Sequence, residues 1–324
     1  MTSQTIPLRA VVQEAVWAPS VHNTQPWSFV IEGEEIRLRA DTDRRLGVSD
    51  PDGREMFISC GAAVFTLRTA LRALGREAIV HVLPDPDRPV LVAIVKAGDP
   101  IEPDEHTLLL HAEITRRRTH RAGFSGLPVA GPLLDALVRH AGEEGARLAL
   151  VDGSAERVLA ALTTAAQLVA GQDRTHNLEL KRWGRPPGSG YRDGVPADAY
   201  PNAPRRTHPH FEQRDYSAGN SWGNADEQPS AATTGQVAVI TTPNDTAADW
   251  ITAGQALQHV LLHASAYGVG AAFHTQALEF APLRSFIAEH LCAGQRPQLM
   301  IRLGYPLTET AGVRRRIEDV LDED

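Results

Sequence analysis

The sequence predicts an α+β fold in two fused half-units, and three observations lead there. Segments of helical period alternate with a hairpin and short apolar strands, so both element types are well represented. The two parts of the chain repeat one order of elements. Gly61-Ala-Ala-Val to Leu74-Gly75 and Gly254-Gln-Ala-Leu to Tyr267-Gly268 are glycine-bounded helices. Each is followed by an Arg-Pro strand, Arg88-Pro89-Val-Leu-Val-Ala-Ile-Val and Arg296-Pro297-Gln-Leu-Met-Ile-Arg-Leu, which reads as an internal duplication. Finally, 324 residues at 42% hydrophobic suffice to bury a sizeable core.

Leu8, Val11, Val12, Ala15 and Val16 recur at helical spacing, and Pro19 stops that helix. Trp27–Ile31 and Ile36–Arg39 flank Glu32-Gly33-Glu34 as a hairpin. A long alanine-rich helix from Arg54 to Leu74 ends at Gly75, a left-handed cap. Strands follow at Ala78–Leu83 and Pro89–Val95, then a helix near His106–Thr115. Pro132–His140 reads as helix, Arg147–Val151 as strand, and Ala155 to Arg182 as one long helix. From Trp183 to Ser230 the chain is rich in Gly, Pro and Asn without apolar period, the pattern of a lid or linker; Tyr191, Tyr200 and Trp222 favour a lid that packs on something. Order returns with strand Gln236–Thr241, helices Ala247–Tyr267 and Ala281–Leu291, strand Gln298–Gly304 and the basic tail Arg314–Arg316.

The formal charge of −8 argues against a general attraction to nucleic acid or anionic membrane. Cys60 and Cys292 have no Cys-x-x-Cys neighbour, so neither a disulfide framework nor a cysteine-rich metal site is expected, and both fall in apolar helices as core residues. With no basic segment before an apolar run at the N-terminus and no apolar stretch long enough to span a bilayer, the expected setting is the cytoplasm.

The segment richest in chemistry is Ala18-Pro19-Ser20-Val21-His22-Asn23-Thr24-Gln25-Pro26-Trp27. Two prolines fix the backbone around a hydroxyl, an imidazole and two amides. Such a turn can present both donors and acceptors to the edge of a heteroaromatic ring; equally, Asn23 and Gln25 can bond their own backbone in a plain polar turn. Arg116–Arg118, Arg121 and Arg314–Arg316 are the densest basic clusters of an acidic chain. Arginine forks and a hydroxyl suit a phosphate; an exposed basic face near a helix end would look the same.

These residues carry a resemblance. Pro19, Ser20, Asn23, Gln25, Pro26 and Trp27 fill every fixed position of PSxxNxQPW, which resembles the flavin-site signature of the nitroreductase superfamily. Ile114–Phe124 (ITRRRTHRAGF) resembles its RRSxRxF phosphate segment, with Arg117, Arg118, Thr119 and Arg121 on fixed positions and Thr119 in place of serine. Gly268–Gln276 resembles the stretch that turns backbone N–H groups toward flavin N5, and the ending LGYPLTETAGVRRRIEDVL resembles the terminal strand and its phosphate-contacting arginine. The segment order departs from that of ordinary nitroreductases, since PSxxNxQPW precedes the arginine segment here. This arrangement resembles the Acg family of actinobacterial nitroreductase-like proteins.

The resemblance implies a nitroreductase-type fold whose half-units each hold a central, mostly antiparallel sheet flanked by helices. One half would span 1–104 and the other 105–324, with a lid insertion about 183–230. It implies one FMN per chain at the seam, in a monomer that mimics a nitroreductase dimer and leaves further dimerisation open. Ring contacts fall to Ser20, Asn23 and Gln25, beside Pro19. The N5 side falls to backbone at Thr275 and Gln276. Phosphate contacts fall to Arg117, Arg118, Thr119, Arg121 and Arg315. His22 and His274 are candidate proton donors by position alone, and no catalytic residue is assigned. The implied activity is an FMN-dependent oxidoreductase that takes electrons from NAD(P)H and passes them to a small aromatic acceptor, a nitroaromatic or quinone. The rival reading is an FMN-storing protein with little turnover, because a long lid over a single site would exclude nicotinamide. His259 and His263 stand at i, i+4 on a helix, a spacing that could grip a metal, but without an evident third ligand no metal site is expected. His208-Pro209-His210 is expected to be a solvated loop.

Overall fold

The computed structural model describes residues 6–200, 211–217, 220, 222–223, 232–310 and 312–322. His208-Pro209-His210 and part of the expected lid lie outside them. The elements in the first part of the chain are α1 (Leu8–Ala15), β1 (Trp27–Glu32), β2 (Glu35–Ala40), α2 (Arg54–Ala73), β3 (Arg76–Val82) and β4 (Leu91–Pro100). Next come α3 (Glu105–Glu113), α4 (Gly131–Glu143), β5 (Arg147–Val151), α5 (Gly153–Gln172), α6 (Arg174–Trp183), β6 (Gly184–Arg185) and β7 (Val195–Pro196). The last are β8 (Gln236–Thr242), α7 (Ala247–Ala266), β9 (Gly270–Phe273), α8 (Gln276–Glu279), α9 (Ala281–Leu291) and β10 (Arg296–Gly304).

Two four-stranded sheets, ordered β1-β2-β4-β3 and β5-β8-β10-β9, organise the fold, and every pairing within them is antiparallel. Taken in chain order, both sheets run first-second-fourth-third, and each has a 20-residue helix, α2 or α7, between its second and third strands. Strand β2 alternates buried and half-buried residues, as expected where one face meets a core. That core joins α1, α2 and the first sheet, with Trp27, Phe29, Ile36 and Leu38 inaccessible. The second sheet is covered on both faces. One side packs on α4 and α7 through Leu137, Ile240, Val260 and Ile301, and the other meets α5, α8 and α9 through Leu159, Leu278 and Ile287.

Helices α2 and α7 cross at their glycines. A Cβ on Gly61 would stand 2.2 Å from the Ile251 carbonyl oxygen, and one on Gly254 2.0 Å from that of Ile58. Ile251 and Ile58 each lie three residues before the opposing glycine, so the two contacts are reciprocal. Helix α2 is long and apolar enough to cross a membrane by composition, but it is mostly buried, packed between the first sheet and α7. The N-terminus of α2 is satisfied by Asp50, whose carboxylate accepts from Glu55 N at 3.0 Å and Met56 N at 2.9 Å.

Two elements differ from expectation. The single helix foreseen over 155–182 is two, because Asp173 leaves helical geometry and caps α6 by accepting from Thr175 N at 2.8 Å. The segment beginning at Trp183 is not structureless where described. Strands β6 and β7 pair in parallel, and Leu180, Val195, Tyr200 and Tyr216 form a satellite core with Trp222 packed against it. Tyr191 is exposed, with the Arg185 guanidinium 4.4 Å from its ring centre. Beyond β10 the chain returns to the first half: Phe29 N donates to Val320 O at 2.7 Å, and Ile317 and Val320 enter the first core.

Candidate functional site at the seam

Immediately after α1, Pro19 and Ser20 lead into a turn in which His22, Asn23 and Gln25 have φ of 46°, 55° and 50°. Three non-glycine residues in the left-handed region within four positions are strained, so surrounding bonds must hold them. Ser20 Oγ accepts from Gln25 N at 2.9 Å. Asn23 Nδ2 donates to Gly194 O at 2.9 Å and Val313 O at 3.2 Å, and Asn23 Oδ1 accepts from Arg314 Nη1 at 3.0 Å. Gln25 Nε2 donates to Arg192 O at 2.9 Å, and its Oε1 accepts from Arg315 N at 2.8 Å. The turn is thus clamped between the strap of residues 184–200 and the C-terminal tail.

Beside the turn lies a recess walled by Ser20, Asn23, Arg118, Thr119, Arg121 and Arg314. The segment carrying Thr119 runs along the edge of the second sheet, where it bridges Ala271, and His120 N donates to Ala271 O at 2.8 Å. Phe124 anchors that segment against Gly304, where a Cβ would approach the ring to 2.5 Å. Arg117 and Arg314 both donate to Trp17 O at 3.2 Å, and the Arg118 guanidinium lies 4.4 Å from the Trp17 ring centre. Among the described residues none of Arg117, Arg118, Arg121 and Arg314 has a carboxylate partner. Arg117 Nε and Nη1 and Arg314 Nε are buried without a hydrogen-bond partner among the described residues. Burial, reinforced by the neighbouring guanidiniums, pulls the pKa of Arg314 well below its usual range. Arginine stays protonated all the same, so the cluster is a concentration of uncompensated positive charge.

The recess adjoins a larger cavity with about 850 Å³ of empty space, part of it open to solvent, and Pro19, Ser20, Thr119 and Arg121 border both. The first half contributes His22, Glu55, Ile58 and Ser59, the second Leu257, Phe273, His274, Thr275, Leu299 and Arg302, and the strap side Tyr200, Gln213, Arg214 and Tyr216. His22 Nδ1 and Tyr216 Oη are 3.0 Å apart, which ties the 211–217 segment to the turn at the cavity wall. Arg302 Nε donates to His274 Nε2 at 2.7 Å, so the proton of His274 is on Nδ1, facing Glu212 O at 3.1 Å. Burial holds His22 and His274 well below the usual histidine range, so both are neutral. Glu55 goes the other way. Burial, then the charge of Glu279, raises its carboxyl to about 8 against the opposing pull of Arg54, whose Nη2 is 2.9 Å away. Arg214 closes the set through an ion pair with Glu279 and a 3.1 Å bond to Thr275 Oγ1.

Of the residues singled out in the sequence, Pro19, Ser20, His22, Thr119, Arg121, His274 and Thr275 line the cavity, and Asn23 and Arg118 line the recess. Arg117 lies buried behind it. The structure does not bring Gln25, Gln276 or Arg315 to either space. Gln25 is wholly buried in the clamp, and Gln276 Nε2 turns to Glu212 O at 3.3 Å. Arg315 Nη1 reaches back to Gln25 O at 3.3 Å and to Asp41 at 3.8 Å, and Arg314 takes the place expected for it. Glu55, Arg214 and Arg302 went unforeseen. Arg302 could have been found as a lone charge inside an apolar strand run, and Glu55 as a carboxylate on the core helix α2.

Fold and site together define an α+β protein of two four-stranded antiparallel sheets, with an arginine-walled recess adjoining a cavity. Its relatives place it more closely. In Mycobacterium tuberculosis H37Rv, "Putative NAD(P)H nitroreductase Rv3131" is 33% identical over 327 residues, covering 97% of this chain and 91% of that protein. "Putative NAD(P)H nitroreductase acg" of the same strain is 27% identical over 298 residues, covering 92% and 88%. The chain belongs to the nitroreductase superfamily and, within it, to the Acg-like proteins. No protein-family profile matches it. Among solved structures, a nitroreductase with bound FMN from Desulfitobacterium hafniense superposes at TM-score 0.40 and 13% identity, over 68% of this chain and 100% of that one. The FMN-dependent nitroreductase NfnB from Mycobacterium smegmatis, in complex with NADPH, gives 0.40 and 16%, over 67% and 98%. The family assignment rests on the sequence relatives alone.

Proposed function

We propose that the chain binds one FMN, with its phosphate in the arginine recess and its ring in the adjoining cavity, and acts as an NAD(P)H-dependent oxidoreductase of the nitroreductase type. The observation that carries this is the group of four arginines that have no carboxylate partner among the described residues, two of them with buried N–H groups left unbonded there, beside a cavity. An isolated buried guanidinium cluster is costly, and a phosphate of roughly −1.5 to −2 charges would relieve it. Pro19 and Ser20 from one lobe and Thr119 and Arg121 from the other border both spaces, which fits one ligand crossing between them.

The shared strand order and the reciprocal Gly61 and Gly254 contacts support reading the lobes, about 1–104 and 105–324, as fused copies of one ancestral unit. A single chain would then supply what a nitroreductase dimer supplies, in one composite site. When bound, FMN would supply two-electron transfer between a nicotinamide and a nitroaromatic or quinone acceptor. Glu55, protonated up to about pH 8, holds a proton at the cavity wall. Arg302, fully buried and without a carboxylate partner among the described residues, holds a fixed positive charge beside the same space. His22 and Tyr216, 3.0 Å apart, form the cavity wall on the side of the 211–217 segment.

A second reading, FMN storage with little turnover, is favoured by the strap docked over the turn through Gly194 and Arg192. Anaerobic addition of NADPH to the purified protein separates the two. Bleaching of the flavin band supports the oxidoreductase; bleaching by dithionite alone supports storage. A colourless protein that fails to take up added FMN removes both.

A further inference from the structure

Away from the seam, four histidines from three helices of the second lobe meet: His106 on α3, His140 on α4, and His259 and His263 one turn apart on α7. His106 Nε2 and His259 Nε2 are 3.0 Å apart. One nitrogen each from His106, His140 and His259 falls within a group whose members all lie within 4.8 Å of one another. Two carboxylates orient the rings: His140 Nδ1 is 2.9 Å from Glu143 Oε2, and His259 Nδ1 is 3.3 Å from Glu144 Oε1. An ionised carboxylate only accepts, so both Nδ1 atoms carry protons, and Nε2 is the atom through which either ring offers a lone pair.

His106 can donate from Nε2 to one of those lone pairs and leaves the other unmet. His263 adds to the deficit. It is 7% exposed, its ring centre is 4.5 Å from that of His140, and its Nδ1 is buried without a partner among the described residues. A cation satisfies these groups together. Imidazoles whose far nitrogens are held by carboxylates are the arrangement that orients histidine on transition metals. We propose that His106, His140 and His259 bind one divalent transition-metal ion of the zinc type, with His263 or water in the fourth position.

Zinc bonds of about 2.0–2.1 Å in a tetrahedron set ligand nitrogens about 3.3 Å apart. His106 and His259 are close to that spacing at 3.0 Å, and all three ligand atoms lie within 4.8 Å of one another. All-nitrogen donors suit zinc, copper and nickel rather than magnesium or calcium. Glu143 and Glu144 supply negative charge outside the ring set, although Arg68 shares Glu144, with Nη1 at 2.5 Å from its Oε2. Half-buried His106 offers the entry path, while His140 and His259 are buried. The ion would pin α3 and α4 to α7. The i, i+4 histidines alone suggested no site because the other ligands lie far away in sequence.

The test uses the untagged full-length chain, stripped with a chelator and titrated calorimetrically with zinc chloride. One ion bound per chain at micromolar affinity or tighter is expected, with a rise in melting temperature. His106→Gln, which alters the most accessible ligand, should weaken binding at least tenfold, and His140→Gln likewise. FMN uptake should remain unchanged in both variants. No stoichiometric binding, or wild-type affinity in both folded variants, overturns the proposal.

Discussion

Removing Arg118 and Arg121 together puts the phosphate reading at most risk. Both side chains border the recess, and Arg121 also borders the cavity. A charge-assisted hydrogen bond to phosphate contributes roughly 1.5–3 kcal/mol, so two would give about 3–6 kcal/mol. The lower end applies here, because each guanidinium also repels Arg117 and Arg314, and that repulsion disappears with it. Arg118→Ala with Arg121→Ala should therefore weaken FMN binding by about 3 kcal/mol, on the order of a hundredfold. The assay is quenching of flavin fluorescence by the stripped protein, run in parallel with FMN and riboflavin. Riboflavin has the ring without the phosphate, so its affinity should be the same in wild type and variant. Equal loss for both ligands would mean that the cavity itself had collapsed. Full retention of FMN would mean that the arginines serve something else. Either result refutes the argument.

Asn23→Ala removes three hydrogen bonds and leaves alanine at φ 55°, so urea denaturation should show a loss of about 2–4 kcal/mol, with Asn23→Gly recovering the part due to backbone strain. Gly254→Ala places a Cβ 2.0 Å from Ile58 O, so the thermal midpoint should fall by the equivalent of about 3 kcal/mol or more, while Gly126→Ala, with open space around it, serves as control. Glu55 titrates higher in the folded protein than a free carboxyl, so the stability it lends is complete below the ordinary carboxyl range and is lost as pH rises through about 8. Glu55→Gln should therefore flatten the decline in urea midpoint between about pH 5 and pH 8, and a wild-type slope identical to the variant's would contradict the raised carboxyl.

What could be read in the sequence, and what could not, divides along physical lines. Periodicity is a local property, and it placed α1, the β1–β2 hairpin, β5 and α9 within a residue or two. The break between α5 and α6 escaped it because a single side chain, Asp173, outbid the continuing helical pattern by capping the next helix. Charge clusters were equally legible. An arginine triplet in an acidic chain is conspicuous wherever it folds, but composition does not say which member of Arg314–Arg316 faces inward. That depends on the tail's twist as it returns to β1, which turns Arg314 to Asn23 and Arg315 to Asp41.

The amides of the turn mark the deeper limit. A polar residue between two prolines can face a ligand or its own chain, and nothing local decides between them. Here the deciding partners, Gly194 O and Arg192 O, belong to the strap, and Val313 O and Arg315 N to the tail. Because Asn23 Oδ1 also receives Arg314, the same turn that borders the larger cavity fixes one wall of the arginine recess. The left-handed strain at His22, Asn23 and Gln25 is therefore held by the elements that close the site, which makes strap docking, turn geometry and arginine placement parts of one cooperative unit. A flavin bound across both spaces would stabilise all three at once, so FMN should raise the melting temperature of the stripped protein more than inorganic phosphate and riboflavin supplied together. Equal stabilisation would mean that recess and cavity act independently.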